Sequence, residues 1–447
     1  MTITRDLAAF LTNAETSDLS DQSLDHGAML IASTIASAAA GTDIRSAVII
    51  RDLARERGGR ADATVWFDAG PKLPVVSAAR ANALMSDAAA SDDSDLRNIT
   101  HMGTPLTAAS LATAELTGAN GAEVLTAIVL GYGAAGRIGA SITPEFRKRG
   151  FHACVVAIFS SAVATGRLLK LDANQMTHAI ALSATSIGGL IAAADTSISR
   201  EYHAGLATML GIEAAQAAQR GYTGEPEILE MPTGFCAIYG GTSGADIIEN
   251  MGQDWDIVTD LAIKLAPGGH FYHAMAEAAG NAARIGDIAP DNIASITLSR
   301  PNTTELSGVL HPETLIDMAH SAAYFIAAGA VDRDFSWAHA TPEKIADPVI
   351  HRVIDKIRVG APPTENISAY RQGATVTIET IDGRSVTETV LAPNGAGYRG
   401  IDWVDINAKY HALAPTAMTG ERVESSLSVI RNFKNLSNVS ELTRTLS

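Results

Sequence analysis

From Asp21 to Gly221 the chain reads as one helix after another, and many of the helix faces carry Ala, Gly and Ser. Side chains that small let backbones approach closely, so this half has to bury itself as helix packed on helix. The stops are legible. Residues 24–40 have helical character and run to Gly41, read as a C-cap. Residues 44–57 follow with helical apolar spacing and end at Gly58-Gly59. Pro105 fits the first position of another helix, and Asn120 the N-cap of the one after. Residues 153–171, 174–186 and 204–220 give three more helices, while 64–67 reads as a short strand.

The pattern changes near Asp287. Residues 293–298 alternate as a strand does, 315–331 read as a helix, and 356–359 are short and β-like. Residues 374–381 and 384–390 alternate with period two around Asp382-Gly383, a strong hairpin signal. Helical character returns at 404–413 and 422–433. The expected fold is therefore mainly α. A large all-helical domain, built from 1–269 and 396–447, has a smaller α+β lid domain, 270–395, inserted into it.

At 447 residues, 47% hydrophobic and 18% charged, the chain has ample material for a large core. A formal net charge of −16 argues against a protein that wraps nucleic acid or coats an anionic membrane. The apolar stretches 153–165 and 179–194 fall short of the roughly 20 residues needed to cross a bilayer. The N-terminal segment lacks an apolar signal region, and the expectation is a soluble, cytoplasmic protein. Cys154 and Cys236 provide neither a disulfide framework nor a zinc spacing.

Gly131-Tyr132-Gly133-Ala134-Ala135-Gly136 has the glycine spacing of a dinucleotide-binding loop. It lies inside the helical run 122–138, with no preceding strand and no βαβ unit around it. Small residues at a helix crossing account for it better. No P-loop, nucleophile elbow or His-Glu-x-x-His zinc motif is present, so neither a cofactor nor a metal is expected.

The informative residues gather where helices begin. Ser91-Asp92-Asp93-Ser94-Asp95 leads to His101. Arg147-Lys148-Arg149-Gly150-Phe151-His152, Ser199-Arg200-Glu201-Tyr202-His203 and the stretch from Lys264 to His273 each open an apolar helix. Backbone N–H groups at helix N-termini already favour anions. Convergence of these ends would make a pocket for a small polycarboxylate.

Thr100-His101-Met102-Gly103, Arg149-Gly150-Phe151-His152, Tyr202-His203-Ala204-Gly205, Lys264 with Pro267 and His273, and Ser321-Ala322-Ala323-Tyr324 occur in an order that resembles the MmgE/PrpD family. Its members dehydrate 2-methylcitrate or decarboxylate cis-aconitate. The segments look most like those of the members that epimerise iminodisuccinate. The resemblance spans nearly the whole chain. It implies a large helical domain with a smaller lid, a homodimer, and a cationic cleft for a small polycarboxylate.

There are departures. Members that eliminate or decarboxylate usually read Asp-Phe-Asp-Asp-Thr where Ser91 to Asp95 stand here, and carry a lysine in place of Arg200. Ser91 is no carboxylate. Arg200 cannot release a proton near neutral pH, but suits a carboxylate as a planar fork.

Epimerisation removes a proton beside a carboxylate and returns it to the other face. Without a metal or pyridoxal group, fixed donors must stabilise an enediolate-like dianion. Lowering a carbon acid's pKa by about 10 units takes on the order of 14 kcal/mol. The expected assignment makes His101 and Lys264 the acid–base pair. Arg149, His152, Arg200, His203 and His273 bind substrate, and Tyr324 donates a hydrogen bond from the lid. Asp92, Asp93 and Asp95 either orient histidines or form a solvated acidic loop. A hydro-lyase of 2-methylcitrate type and a catalytically inactive helical binding protein are the alternative readings.

Overall fold

The computed structural model describes residues 2–186 and 188–447, apart from the side chains of Asp195 and Thr196. The chain divides into two compact units. One comprises Met1–Ile263 and Ile401–Ser447, the other Lys264–Gly400. The fold is mainly α with small sheets.

In the first unit the small residues do what the pattern predicts. The helices Val75–Ala88, Gly103–Thr117, Gly121–Ser141, Cys154–Leu168 and Ser199–Gln219 pack directly on one another. Asn120 caps the Gly121–Ser141 helix and exchanges hydrogen bonds with Glu123 in a capping box. The Gly131 to Gly136 motif lies within that helix. A Cβ on Gly131 would stand 2.8 Å from the Ser160 carbonyl, so the glycine serves a helix crossing. At 21 residues this helix is long and apolar enough to span a bilayer, and 83% of its apolar window is buried inside the protein. It is longer than the two apolar stretches singled out from the sequence, of which 179–194 crosses Ile187, outside the described residues.

Other expectations shift. Gly41 lies inside the Asp21–Gly41 helix rather than capping it in a left-handed conformation. A Cβ there would overlap the Met85 carbonyl, so close packing on the Val75–Ala88 helix is what requires glycine. Pro105 is the third residue of its helix, not the first. Residues 64–67 form no strand. That region contributes only an isolated bridge between Ala63 and Leu73. A short strand appears instead within the acidic segment: β1, Asp93–Asp95, pairs antiparallel with β2, Leu261–Ile263.

The second unit is a four-stranded sheet with helices on one face. The strands are β3 (Ile293–Ser299), β4 (Ile357–Val359), β5 (Ala374–Thr380) and β6 (Ser385–Val390), in the order β4-β3-β5-β6. The β5–β6 pair is the hairpin signalled by Asp382-Gly383, with Gly383 at φ 86° in the turn. Ala374, Val376 and Ile378 alternate inward on β5 and join Ile296 and Leu298 of β3. The His270–Ile285 and Ala322–Asp332 helices complete that core. Residues 315–331 are two helices rather than one. Leu315–Ala319 stops at His320, and the Ser321 hydroxyl caps the next by accepting from the Tyr324 N–H.

Candidate active site

The acidic segment is buried, not solvated. Ser91, Asp92, Asp93, Ser94 and Asp95 are each at most 1% exposed. Buried carboxylates need partners, and three aspartates take three different ones. Asp92 Oδ2 lies 2.8 Å from His101 Nδ1, and the Asp93 carbonyl lies 2.6 Å from the same nitrogen. The carbonyl accepts the hydrogen bond, so Nδ1 carries the proton beside the Asp92 carboxylate and the lone pair of neutral His101 is on Nε2. The Asp93 carboxylate accepts the Gly103 N–H at the start of the Gly103–Thr117 helix, where a negative group complements the helix dipole. Asp95 pairs with Arg97 at 2.7 Å, beside Asp256 and Asp260. Burial nonetheless raises the Asp95 carboxyl to about 6, against the pull of Arg97.

The chain that returns after the second unit braces this segment from behind. Lys409, on the Trp403–Leu413 helix, is 1% exposed and donates to the Ser91 carbonyl and to Ser33 Oγ. Ser37 Oγ donates to the same carbonyl at 2.8 Å.

A second group of side chains comes from the starts of two helices. His152 precedes the Cys154–Leu168 helix, and its ring lies 4.9 Å from that of His203, in the first turns of the Ser199–Gln219 helix. The Cys154 N–H donates to His152 Nδ1 at 3.3 Å, which leaves the neutral ring's proton on Nε2. Burial holds the His152 pKa well below 6.5, and the nearby basic groups of His101, His203, Arg147 and Arg200 push it the same way. Burial also lowers the pKa of His203. Both rings are therefore neutral near pH 7.

Arg200 is anchored from the Val75–Ala88 helix. Its Nε lies 3.2 Å from Asp87 Oδ2, and Nη2 donates to the Asp87 carbonyl at 2.6 Å. Nη1 makes no hydrogen bond among the described residues, which leaves it available to an incoming anion. The neighbouring Glu201 carboxyl is raised to about 7, chiefly by burial.

The MmgE/PrpD N-terminal domain matches residues 5–248 and the MmgE/PrpD C-terminal domain residues 267–435. The chain belongs to the MmgE/PrpD family. Similar members include the cis-aconitate decarboxylases of Mus musculus and Homo sapiens, each 24% identical over 99% of this chain and over 93% and 94% of theirs. The cis-aconitate decarboxylase of Aspergillus terreus is 23% identical over 100% of this chain and 96% of its own. These relatives of the MmgE/PrpD chain are enzymes.

Of the residues singled out in the sequence, His101, His152, Arg200 and His203 all belong to the first unit, and the basic groups that bear on His152 include the other three. Arg149 is a correction. It is exposed and its guanidinium donates to the Ile238 carbonyl, whereas Arg147, two residues earlier, is the one whose charge bears on His152. Lys264, His273 and Tyr324 belong to the second unit. Lys264 is fully buried there. His273 Nε2 donates to the Pro267 carbonyl at 3.2 Å, and its ring stacks on Phe325.

Tyr324 is the second correction. It is fully buried in the core of its unit, and its hydroxyl donates to the His339 carbonyl at 2.9 Å. That bond already satisfies the donor it was expected to offer substrate.

The sequence reading missed Asp87, Cys154 and Lys409. Asp87 carried a signal, because an acid in the last turn of a helix opposes the helix dipole and needs a cation to hold it. Lys409, in an ordinary amphipathic helix far along the chain, carried none.

Proposed function

We propose that this chain is a cofactor-independent epimerase of an iminodisuccinate-like amino polycarboxylate, working by proton removal and return at the carbon beside a carboxylate. The observation that carries the reading is the Asp92–His101 pair. The Asp93 carbonyl holds Nδ1 and presents Nε2 as the base, and the buried Asp92 carboxylate beside it stabilises the imidazolium formed when His101 takes a proton. His152 and His203, kept neutral, serve as hydrogen-bond donors, and Arg200 Nη1 offers a cationic donor to a carboxylate. Such donors stabilise the charge that develops on the carboxylate when the carbon loses its proton. An inversion needs a second proton carrier, and we assign that role to Lys264.

The relatives' activity supports the competing reading of a lyase. Against it stand Ser91, where eliminating and decarboxylating members usually carry an acid, and Arg200, where they carry a lysine. The Ser91 side chain is buried and its hydroxyl makes no hydrogen bond among the described residues.

The two readings separate in heavy water. Iminodisuccinate incubated with the enzyme should gain deuterium at the inverted carbon, read by NMR, while cis-aconitate should release no carbon dioxide. Lys264→Ala should retain exchange at one face and lose inversion. Carbon dioxide from cis-aconitate without exchange on iminodisuccinate would establish the lyase instead.

A further inference from the structure

The sequence gives two cysteines and no metal-binding spacing, yet folding assembles a set of ligands that spacing alone does not show. One ligand atom from each of His152, Cys154 and His203 can be chosen so that all three lie within 4.8 Å of one another. We infer that His152, Cys154 and His203 form a binding site for a borderline-soft divalent cation of the zinc type.

The donor set supports this. Two imidazoles and one thiol suit Zn²⁺ and its neighbours and not Mg²⁺ or Ca²⁺, which prefer oxygen. Three protein ligands leave a fourth tetrahedral position open. A tetrahedral zinc ion needs its N and S ligands roughly 3.3–3.6 Å apart. The trio therefore has to draw in by about 1 Å, within the reach of side-chain rotation.

Two further observations point to a ligand. His203 is 9% exposed, and its Nδ1 is buried without a hydrogen-bond partner among the described residues. A buried imidazole nitrogen left this way is costly unless something else meets it. Gly189 packs against the trio from the other side, where a Cβ would overlap Cys154 Sγ and stand 3.3 Å from His203 Cε1. The backbone at 189 thus leaves room for the thiol and the ring and for nothing larger.

Binding balances simply. The cation takes the lone pair of neutral His203 and that of His152 Nδ1, displacing the 3.3 Å Cys154 N–H from it, and replaces the proton on the Cys154 thiol, which leaves to solvent. Nothing is oxidised or reduced. The inference is independent of the proposed reaction, because it concerns ligand geometry alone.

Cobalt(II) is the probe, since a thiolate–cobalt bond gives a charge-transfer band in the near ultraviolet that oxygen and nitrogen ligands do not. The full-length protein, purified with a chelator and dialysed, should bind one equivalent of Co²⁺ with that band, and Zn²⁺ should displace it. Cys154→Ser should abolish the band and weaken Zn²⁺ binding by about tenfold or more, through loss of the one soft ligand. His203→Ala should weaken binding without removing the thiolate signature, and Cys236→Ser should leave the band intact. Absence of the band in the wild-type protein, or its persistence in Cys154→Ser, would overturn the assignment. These readouts do not depend on turnover, so they stand whichever reaction the enzyme proves to catalyse.

Discussion

Replacing Asp92 by asparagine tests the pair on which the functional reading depends. The wild-type carboxylate lies 2.8 Å from His101 Nδ1 as its charge partner, while the Asp93 carbonyl accepts the hydrogen bond from that nitrogen at 2.6 Å. The substituted amide is nearly isosteric with the carboxylate and lacks its charge. Because the Asp93 carbonyl stays in place, the proton remains on Nδ1 and Nε2 stays the base, so no tautomer is lost. What is lost is the stabilisation of the imidazolium in the transition state. A buried charge contact at this distance contributes about 1.5–3 kcal/mol, which corresponds to roughly 10- to 150-fold in rate. Since that charge exists only while His101 holds the substrate's proton, the loss should fall on kcat with KM little changed. The assay is the rate of deuterium incorporation at the substrate carbon in heavy water, followed by NMR over a range of substrate concentrations. Circular dichroism and a urea transition would confirm that the variant is folded. An exchange rate within twofold of wild type would refute the reasoning, as would a change confined to KM.

Further variants probe the surrounding groups. Arg200→Lys keeps a charge but cannot hold Asp87 through two nitrogens while offering a third to substrate; KM should rise about tenfold or more, and unchanged constants would remove Arg200 from the site. Gly189→Ala forces a methyl group into Cys154 Sγ and against the His203 ring, and overpacking of this kind should cost about 1–3 kcal/mol in urea denaturation with a loss of turnover; a variant as stable and active as wild type would show that the 189 backbone does not constrain the trio. Asp95 titrates near pH 6 when folded and near 3.8 when unfolded, so the folded chain holds more protons between those values and this group favours folding more as pH falls. Relative to Asp95→Asn, wild-type stability should therefore improve by up to about 1.4 kcal/mol per pH unit below pH 6, and parallel stability–pH curves would contradict it.

Periodicity and capping residues made most of the fold legible. The Asn120 cap, the β5–β6 hairpin and the helical reading of the Gly131 to Gly136 motif are all local in origin, set by residues within a few positions of one another. The failures are tertiary. Gly41 resembled a terminator because glycine serves both as a cap and as a contact point, and only the Met85 carbonyl decides between them. The strand in the acidic segment depends on Leu261–Ile263, more than 160 residues away in sequence. In the site, His101, His152, Arg200 and His203 could be picked by residue type at helix starts. Arg149 was expected on the same grounds and Tyr324 from the family resemblance, and both face elsewhere, since neither a helix start nor a short motif determines where a side chain points. Asp92 was legible only as one of three acids, and its partner became evident once β1 and the turn after it brought His101 back to it.

In a chain with a formal charge of −16, the proposed polycarboxylate site cannot rely on long-range attraction. Charges beyond about 8–10 Å are screened at physiological salt in any case. The charge balance around the candidate site points the same way, because Arg200 is offset by Asp87 and burial keeps His152 and His203 neutral. What an incoming anion meets is mainly a set of directed N–H donors: Arg200 Nη1 and the imidazole N–H groups. Recognition by aimed donors is sensitive to where each carboxylate sits, whereas a diffuse positive field would accept any polyanion of similar charge. Family members can then keep the fold and change the reaction by altering a few positions around the same pocket. The family resemblance makes Ser91 and Arg200 two such positions, since neither can carry the proton that an acid or a lysine there would. On the proposed reading, a chain that keeps the anion donors and the base beside Asp92, but lacks those proton carriers, can still take a proton from carbon and return it, and has fewer means to expel a leaving group.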